Sequence, residues 1–491
     1  MDPVCGKNGE REVPMSLGFV QGSVSGHVNR QLYHKFSRLS LPRHTSYPAV
    51  PYWSQDVDAG VFSSSLREIA QQNRPVSFYV HVPFCEKLCH YCGCNKLVIS
   101  RGNADASSYA ERYLDALGME LDWVNAQAGD RLWNTRQIHW GGGTPTWLGI
   151  SEAETLWKKL TKHMHIASDA ELSVEVDPRV TTRDHIKLLR DLGFNRVSMG
   201  VQDFDPAVQG AIQRIQPVDM VARLADDCRA LGFSGVNFDL IYGLPLQTPE
   251  SMERTLRQVV DLSPDRVAFY RLALLPDIFK WQRTFKESDI PGDERVLDFM
   301  LRAMEVFCSN GWDYIGLDHF AKEHDELSVA FRNGTLRRSF QGMTTGDELP
   351  VIGVGPSAIS CLDDLFAQNE VSFPKWAKMT AQSGNATVRG HRMTDDDQVI
   401  RYVMGQLYCY RSVDKRKFSD MTGHDFDAYF ARSRISWMEM ERLGLIENSA
   451  AALRVRPLTG WLLMRVVAAT FDSYLSPESW KSGVSHGSRV G

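Results

Sequence analysis

Four cysteines crowd into the stretch "YVHVPFCEKLCHYCGCNK", residues 79–96: Cys85, Cys89, Cys92 and Cys94, out of nine in a chain of 491 residues. Cys85, Cys89 and Cys92 have C-x3-C-x2-C spacing, which can wrap three thiolates around one face of an iron–sulfur cube and leave the fourth iron open to a non-protein ligand. Zinc is the competing reading. It takes four soft ligands, commonly as two separated pairs; no second pair follows, and Cys94, one glycine beyond Cys92, is badly placed to close a tetrahedron. Its position suggests a role at the site other than cluster ligation. Further along the chain, "GGGTPT" (141–146) is either a tight turn or a cradle in which backbone amides approach a ligand without a Cβ in the way. Glu175 interrupts an apolar strand, and a buried carboxylate needs donors, from ligand hydroxyls or from a salt bridge. Gln202, Arg214 and Asp239 also fall in or beside apolar runs.

These residues need a frame. Short β-branched or aromatic runs at 77–84, 136–142, 171–178, 196–202, 235–243, 266–275 and 312–320 alternate with amphipathic stretches such as 109–124, 185–194 and 251–262. Strands alternating with helices indicate βαβ units, and six or more suggest a full or partial barrel, whose catalytic groups gather at the C-terminal ends of the strands. The motifs fall at those ends. The spacing predicts an α/β fold: a partial (β/α)6-type barrel over 76–375, preceded by a poorly ordered extension (1–35) and an arm (36–75). A small, mostly helical domain of winged-helix type (376–480) and a tail (481–491) follow. A winged helix is more often a packing module than a DNA reader, and a formal charge of −5 supplies no basic face for nucleic acid. No apolar run reaches the roughly 18 residues that cross a bilayer, and the N-terminus lacks a signal-peptide pattern. A cytoplasmic protein is expected, in which clustered thiols stay reduced and suit metal better than disulfides.

With its strand, the cysteine stretch resembles the radical S-adenosylmethionine (SAM) enzymes, in which an aromatic residue, here Tyr91, precedes the last cluster cysteine. The ordered set "YVHVPFCxxLCxYCGCNK", "HWGGGTPT", "EVDPR", "SMGVQDF", "DLIYGLP" and "GLDHFA", with "PRHTSYP" before it and "GVGPSAIS" behind the barrel, is similar to the oxygen-independent coproporphyrinogen III oxidase family. The resemblance implies a [4Fe–4S] cluster on Cys85, Cys89 and Cys92 and two SAM molecules. Tyr79, Gly142, Glu175 and Ile359 match positions around the first, and Tyr91, Gly143, Thr144, Gln202, Arg214, Asp239 and Ala273 match positions around the second. It implies that a 5′-deoxyadenosyl radical takes a β-hydrogen from a propionate of coproporphyrinogen III, and that loss of CO2 and one more electron leaves a vinyl group. Two such conversions give protoporphyrinogen IX in haem biosynthesis. A low-potential donor such as flavodoxin or ferredoxin and a monomeric state are the accompanying expectations. Arg43, Lys96 and Arg338 are candidates to meet the substrate carboxylates.

The chain departs from the family's pattern at His44 and Met343, where Tyr is usual, and at Ser339, where Asn is common. Leu272 and Leu274 replace an aromatic and an imidazole. These positions open an alternative, a diverged radical SAM enzyme with another substrate. A haem chaperone, the activity of close relatives, is a further alternative, but those relatives lack Cys94-Asn95-Lys96 and carry a His-Asn-x-x-Tyr-Trp signature absent here.

Overall fold

A computed structural model describes residues 28–42, 44–340, 342–345, 348–475 and 488–489. The expected disorder of 1–35 falls mostly outside these residues, as does most of the tail, and so does Arg43; Arg30–Ser37 is a helix.

Six parallel strands make the barrel wall: β1 (Val76–Val82), β2 (Trp133–Gly142), β3 (Met164–Val176), β4 (Arg196–Gln202), β5 (Gly235–Tyr242) and β6 (Arg266–Arg271). β1 shows how the sequence builds it. Val76, Phe78, Val80 and Val82 are fully buried on the helix side, while Tyr79 and His81 alternate to the lumen side. The crossover helices carry their own stop and start signals. Thr182 caps Arg183–Asp191, and Thr248 caps Pro249–Leu262, with Pro249 in the first turn.

The wall is extended on both sides into a 12-stranded sheet among the described residues. Beyond β6 lie β7 (Trp312–Gly316) and β8 (His319–Lys322): β8 pairs antiparallel with β6, and β7 pairs antiparallel with β8. The expected single strand over 312–320 is thus a hairpin, turned by Leu317 in a left-handed conformation (φ 52°). The strand expected over 266–275 ends at Arg271, and residues 272–275 leave the sheet. A separate hairpin, β9 (Arg337–Ser339) with β10 (Gly342–Thr344), follows. On the other side β1 pairs in parallel with β11 (Val351–Val354), and the antiparallel β12 (Ile359–Cys361), β13 (Leu365–Asn369) and β14 (Thr387–Arg392) complete the sheet. The sheet therefore runs past residue 376, the expected domain edge, and the helical C-terminal region begins with the helix Asp395–Tyr410. Beyond that helix come β15 (Ser412–Asp414), the helices Lys415–Thr422 and Arg434–Arg442, then β16 (Ile446–Asn448) and β17 (Ala452–Val455). The three strands form one small antiparallel sheet, and helix–strand–helix–helix–strand–strand is the order of a winged helix. No helix among the described residues is long and apolar enough to cross a membrane.

Candidate active site

The cysteines sit in a loop with a fixed neck. Phe84–Cys85 pairs in parallel with Leu97–Val98, and Ile99 N donates to Cys85 O at 2.9 Å. The loop is then strapped from outside by residues that follow β6. Trp281 Nε1 donates to Cys92 O (3.0 Å), Gln282 Nε2 donates to Tyr91 O (3.1 Å) and Ala273 O (3.0 Å), and Phe279 lies so close that a Cβ on Gly93 would meet its ring at 2.9 Å. Lys96, a candidate for substrate carboxylates, is engaged in the same scaffold. Its ammonium donates to Cys92 O (3.1 Å) and Cys94 O (3.3 Å) and lies over the Trp281 ring at 4.3 Å.

The thiols face a cavity of about 460 Å³ that runs into the barrel lumen. Burial pushes the Cys85 thiol up to about 12, so a cationic partner is needed to hold it as a thiolate at neutral pH. The Cys92 thiol is held down at about 6, first by the hydrogen bond from the Cys94 thiol. Cys89 receives two cationic donors, Arg179 Nη2 at 3.2 Å and Arg214 Nη1 at 3.5 Å. Both arginines are paired with Asp177, at 2.6 and 3.0 Å. Burial opposes ionisation of Asp177, but the charges of Arg214 and Arg179 outweigh it and hold the carboxyl at about 2. Among the described residues no three His, Cys, Asp or Glu side chains converge on a point a single ion could occupy.

Beside the loop, the glycine turn at the end of β2 is set by close backbone approach. A Cβ on Gly143 would meet Phe84 O at 2.6 Å and Pro83 O at 2.9 Å, Gly143 N donates to Val82 O and Thr144 N to Phe84 O, and Gly142 has φ 112°. Thr144 Oγ1 points at Cys85 Sγ (3.7 Å). Glu175, at the end of β3, accepts from Gly142 N (3.1 Å) and His139 Nε2 (3.3 Å). Its side chain is still 44% exposed to the cavity, leaving acceptor capacity for a ligand. Burial works against its charge, but the His139 and Gly142 hydrogen bonds prevail and hold its carboxyl below the usual range. Asp239 is the reverse. Burial, reinforced by the Glu175 charge, raises it to about 6 despite hydrogen bonds from Ser198 (2.9 Å) and Asn237 (2.8 Å). Gln202 holds a left-handed φ of 68° where the β4–β5 register slips by a residue, a bulge of the kind that re-aims side chains beside active sites. Gly200 leaves room for Arg214 to donate to its carbonyl at 2.5 Å.

Thus Tyr91, Gly142, Gly143, Thr144, Glu175, Gln202, Arg214 and Asp239 line one cavity with the cysteines. Tyr79 and Ile359 instead pack beside Trp53 and Phe366, with Tyr79 Oη 3.0 Å from His81 Nδ1, and Ala273 does not line the cavity, its carbonyl accepting from Gln282 of the strap. Sequence reasoning passed over His139, Asp177, Arg179 and the strap. A charged triplet directly after the apolar strand, in "EVDPR", was the one available signal for Asp177 and Arg179.

Residues 79–259 match the radical SAM superfamily, the class defined by such a thiol loop at the mouth of a partial barrel. The chain belongs to the family of oxygen-independent coproporphyrinogen III oxidases. It is 39% identical over 436 residues to the enzymes of that name from Salmonella typhimurium and Escherichia coli K12, covering 89% of this chain and 93% of each relative. The solved structure of the Escherichia coli coproporphyrinogen III oxidase, described as a radical SAM enzyme, superimposes with a TM-score of 0.84 at 38% identity, over 89% of this chain and 100% of that one. Membership brings a [4Fe–4S] cluster and SAM as cofactors, and three thiols beside a glycine turn with no Cβ in the way and a half-open carboxylate fit both.

Proposed function

We propose that this chain converts two propionate side chains of coproporphyrinogen III to vinyl groups, giving protoporphyrinogen IX. The observation that supports this best is the near full-length match to enzymes of that name, together with a thiol loop and an amide turn opening on one polar cavity. When bound, the cluster and SAM would supply one-electron radical chemistry at the propionate β-carbon. The protein's part is positioning and exclusion. Cys85, Cys89 and Cys92 would hold three irons of the cluster, while Arg179 and Arg214 donate to the Cys89 sulfur, which moderates its charge. Gly142, with Tyr79, Glu175 and Ile359, serves a first SAM, the glycine by letting the ligand approach the backbone and the Glu175 carboxylate by accepting from ribose hydroxyls. Gly143, Thr144, Tyr91, Gln202, Arg214, Asp239 and Ala273 serve a second. Cys94 keeps a thiol hydrogen bond to Cys92 and does not bind iron. The strap over residues 91–93 shields the loop from solvent and oxygen. The enzyme works as a cytoplasmic monomer, reduced by a low-potential donor such as flavodoxin or ferredoxin.

The test is anaerobic turnover of cluster-reconstituted protein with SAM, a strong reductant and coproporphyrinogen III, reading 5′-deoxyadenosine and porphyrin products. Deoxyadenosine with protoporphyrinogen supports the reading. Deoxyadenosine with coproporphyrinogen untouched would leave the radical chemistry and remove the substrate, pointing to the diverged enzyme.

A further inference from the structure

The lumen of an ordinary (β/α)8 barrel is filled with branched apolar side chains. Here it is polar well below the cofactor region. Arg196 lies across Gly235, where a Cβ would meet its Nη1 at 2.0 Å, and is held by Glu171 (2.9 Å) and Glu326 (3.1 Å). Arg196 is thus committed to the floor of the cavity. Arg266 is committed only in part. Its Nε donates to both oxygens of Asp325 (2.9 and 3.0 Å), but its Nη2, 3.8 Å from Glu326, is buried without a hydrogen-bond partner.

His319 is next to it. It sits in register with Ala268, which in turn is in register with Asp239, so the three present side chains to the lumen in one row. The methyl group of Ala268 leaves the space between Asp239 and His319 open over two strand spacings, roughly 10 Å. His319 Nδ1 is also buried without a partner, although the residue lines the same cavity as Arg266. Burial, with the charges of Arg338 and Arg266, lowers the imidazole to about 4, so the ring is neutral and, with its proton on Nδ1, offers a donor there. A buried nitrogen left without a partner is costly, and an acceptor from a ligand would satisfy both.

We infer that Arg266 Nη2 and His319 Nδ1 form a subsite for a carboxylate of the porphyrinogen, one that is held and not decarboxylated, anchoring the macrocycle while another propionate faces the cofactors. The inference rests on the proposed substrate, a tetracarboxylate in which two carboxylates survive the reaction. No acid near the subsite is free to compete, since Asp325 and Glu326 already serve Arg266 and Arg196.

His319→Leu, which removes a nitrogen with no partner in the protein, and Arg266→Lys, which retains the charge toward Asp325, test it. Expected are a KM for coproporphyrinogen III raised about tenfold or more in each, with iron content and SAM cleavage in the absence of porphyrinogen unchanged. Competition between coproporphyrin III and its tetraamide should show the wild type preferring the acid about tenfold and His319→Leu losing most of that preference. A KM within twofold of wild type in both variants, or an unaltered acid preference, overturns the subsite while leaving the substrate standing. Absence of any protoporphyrinogen from the wild type overturns the substrate itself, and the subsite with it.

Discussion

Gly143→Ala isolates the role of backbone approach at the site. The added Cβ would lie 2.6 Å from Phe84 O, 2.8 Å from Pro83 C and 2.9 Å from Pro83 O. All are main-chain atoms of the segment that carries Cys85, so no side chain can rotate away. Ordinary contact begins at 3.4 Å, so the end of β2 and the neck of the cysteine loop must part by about 0.8 Å, the difference between 3.4 and 2.6 Å. That movement stretches the hydrogen bonds from Gly143 N to Val82 O (2.8 Å) and from Thr144 N to Phe84 O (2.7 Å). Overpacking of this kind costs about 1–3 kcal/mol, which a chain of this size survives. The functional effect is larger, because a displacement near 1 Å between reacting groups costs on the order of 100-fold in rate. The assay is 5′-deoxyadenosine formation under single-turnover conditions on reconstituted protein, with iron per chain and melting temperature measured alongside. Gly210→Ala, with nothing within 4 Å of the new methyl, is the control. The expected result is iron near wild type, melting lowered by a few degrees and a rate about 100-fold down. A Gly143→Ala enzyme within threefold of wild type would refute the claim that this glycine fixes the loop against the turn.

Asp177→Asn leaves Arg179 and Arg214 buried without their shared carboxylate. Breaking such a group costs about 3–5 kcal/mol, so lowered melting and reduced iron retention are expected, and unchanged values in both would contradict the network. Cys94→Ser should keep the full iron content, since only three thiols are assigned to the cluster; loss of iron would make Cys94 a ligand. Glu120 is 2% exposed and burial raises its carboxyl to about 8, even though Gly355 N, Asn369 and Trp376 donate to it. The folded state therefore holds a proton that the unfolded chain has lost above its ordinary carboxylate range. Stability falls as pH rises toward 8, by ~2 kcal/mol between pH 6 and pH 8. Glu120→Gln should flatten that part of the melting-temperature profile, and a profile as steep as wild type would rule Glu120 out as its source.

The parts of this structure legible in the sequence are those with local causes. β1 reads as a buried strand because its helix-facing positions are all large and apolar, and the helices after Thr182 and Thr248 read from their caps. The cysteine spacing is a local signal too, and the motif residues around it do line one cavity. What stayed hidden depends on chain crossings. Asp177 meets Arg214 over 37 residues of sequence, and Trp281 meets Cys92 over 189; neither pairing has a periodicity to betray it. The hairpin at 312–322 reads as one strand because Trp312, Tyr314, Ile315, Leu317 and Phe320 carry large apolar side chains across the turn, and the left-handed backbone at Leu317 reverses it.

The departures from the family pattern can be weighed by where they fall. His44 is buried between Tyr408 (3.1 Å) and Asp472 (3.0 Å), a joint between the arm and the C-terminal region. Ser339 donates to Gly342 O across the turn of the β9–β10 hairpin (3.3 Å). Leu272 packs in the apolar cluster behind Tyr91, and Leu274 is 41% exposed on the outer side of the strap. Met343 alone lines the cavity, opposite Arg338 in the hairpin and 3.9 Å from Cys409 Sγ. Exchanging a phenol there for a thioether removes one hydrogen-bonding group and keeps apolar bulk, while the donors of Arg266 and His319 deeper in the lumen are untouched. The departures therefore bear mainly on how the hairpin, strap and arm are packed, and of the five only Met343 alters a side chain that faces the cavity.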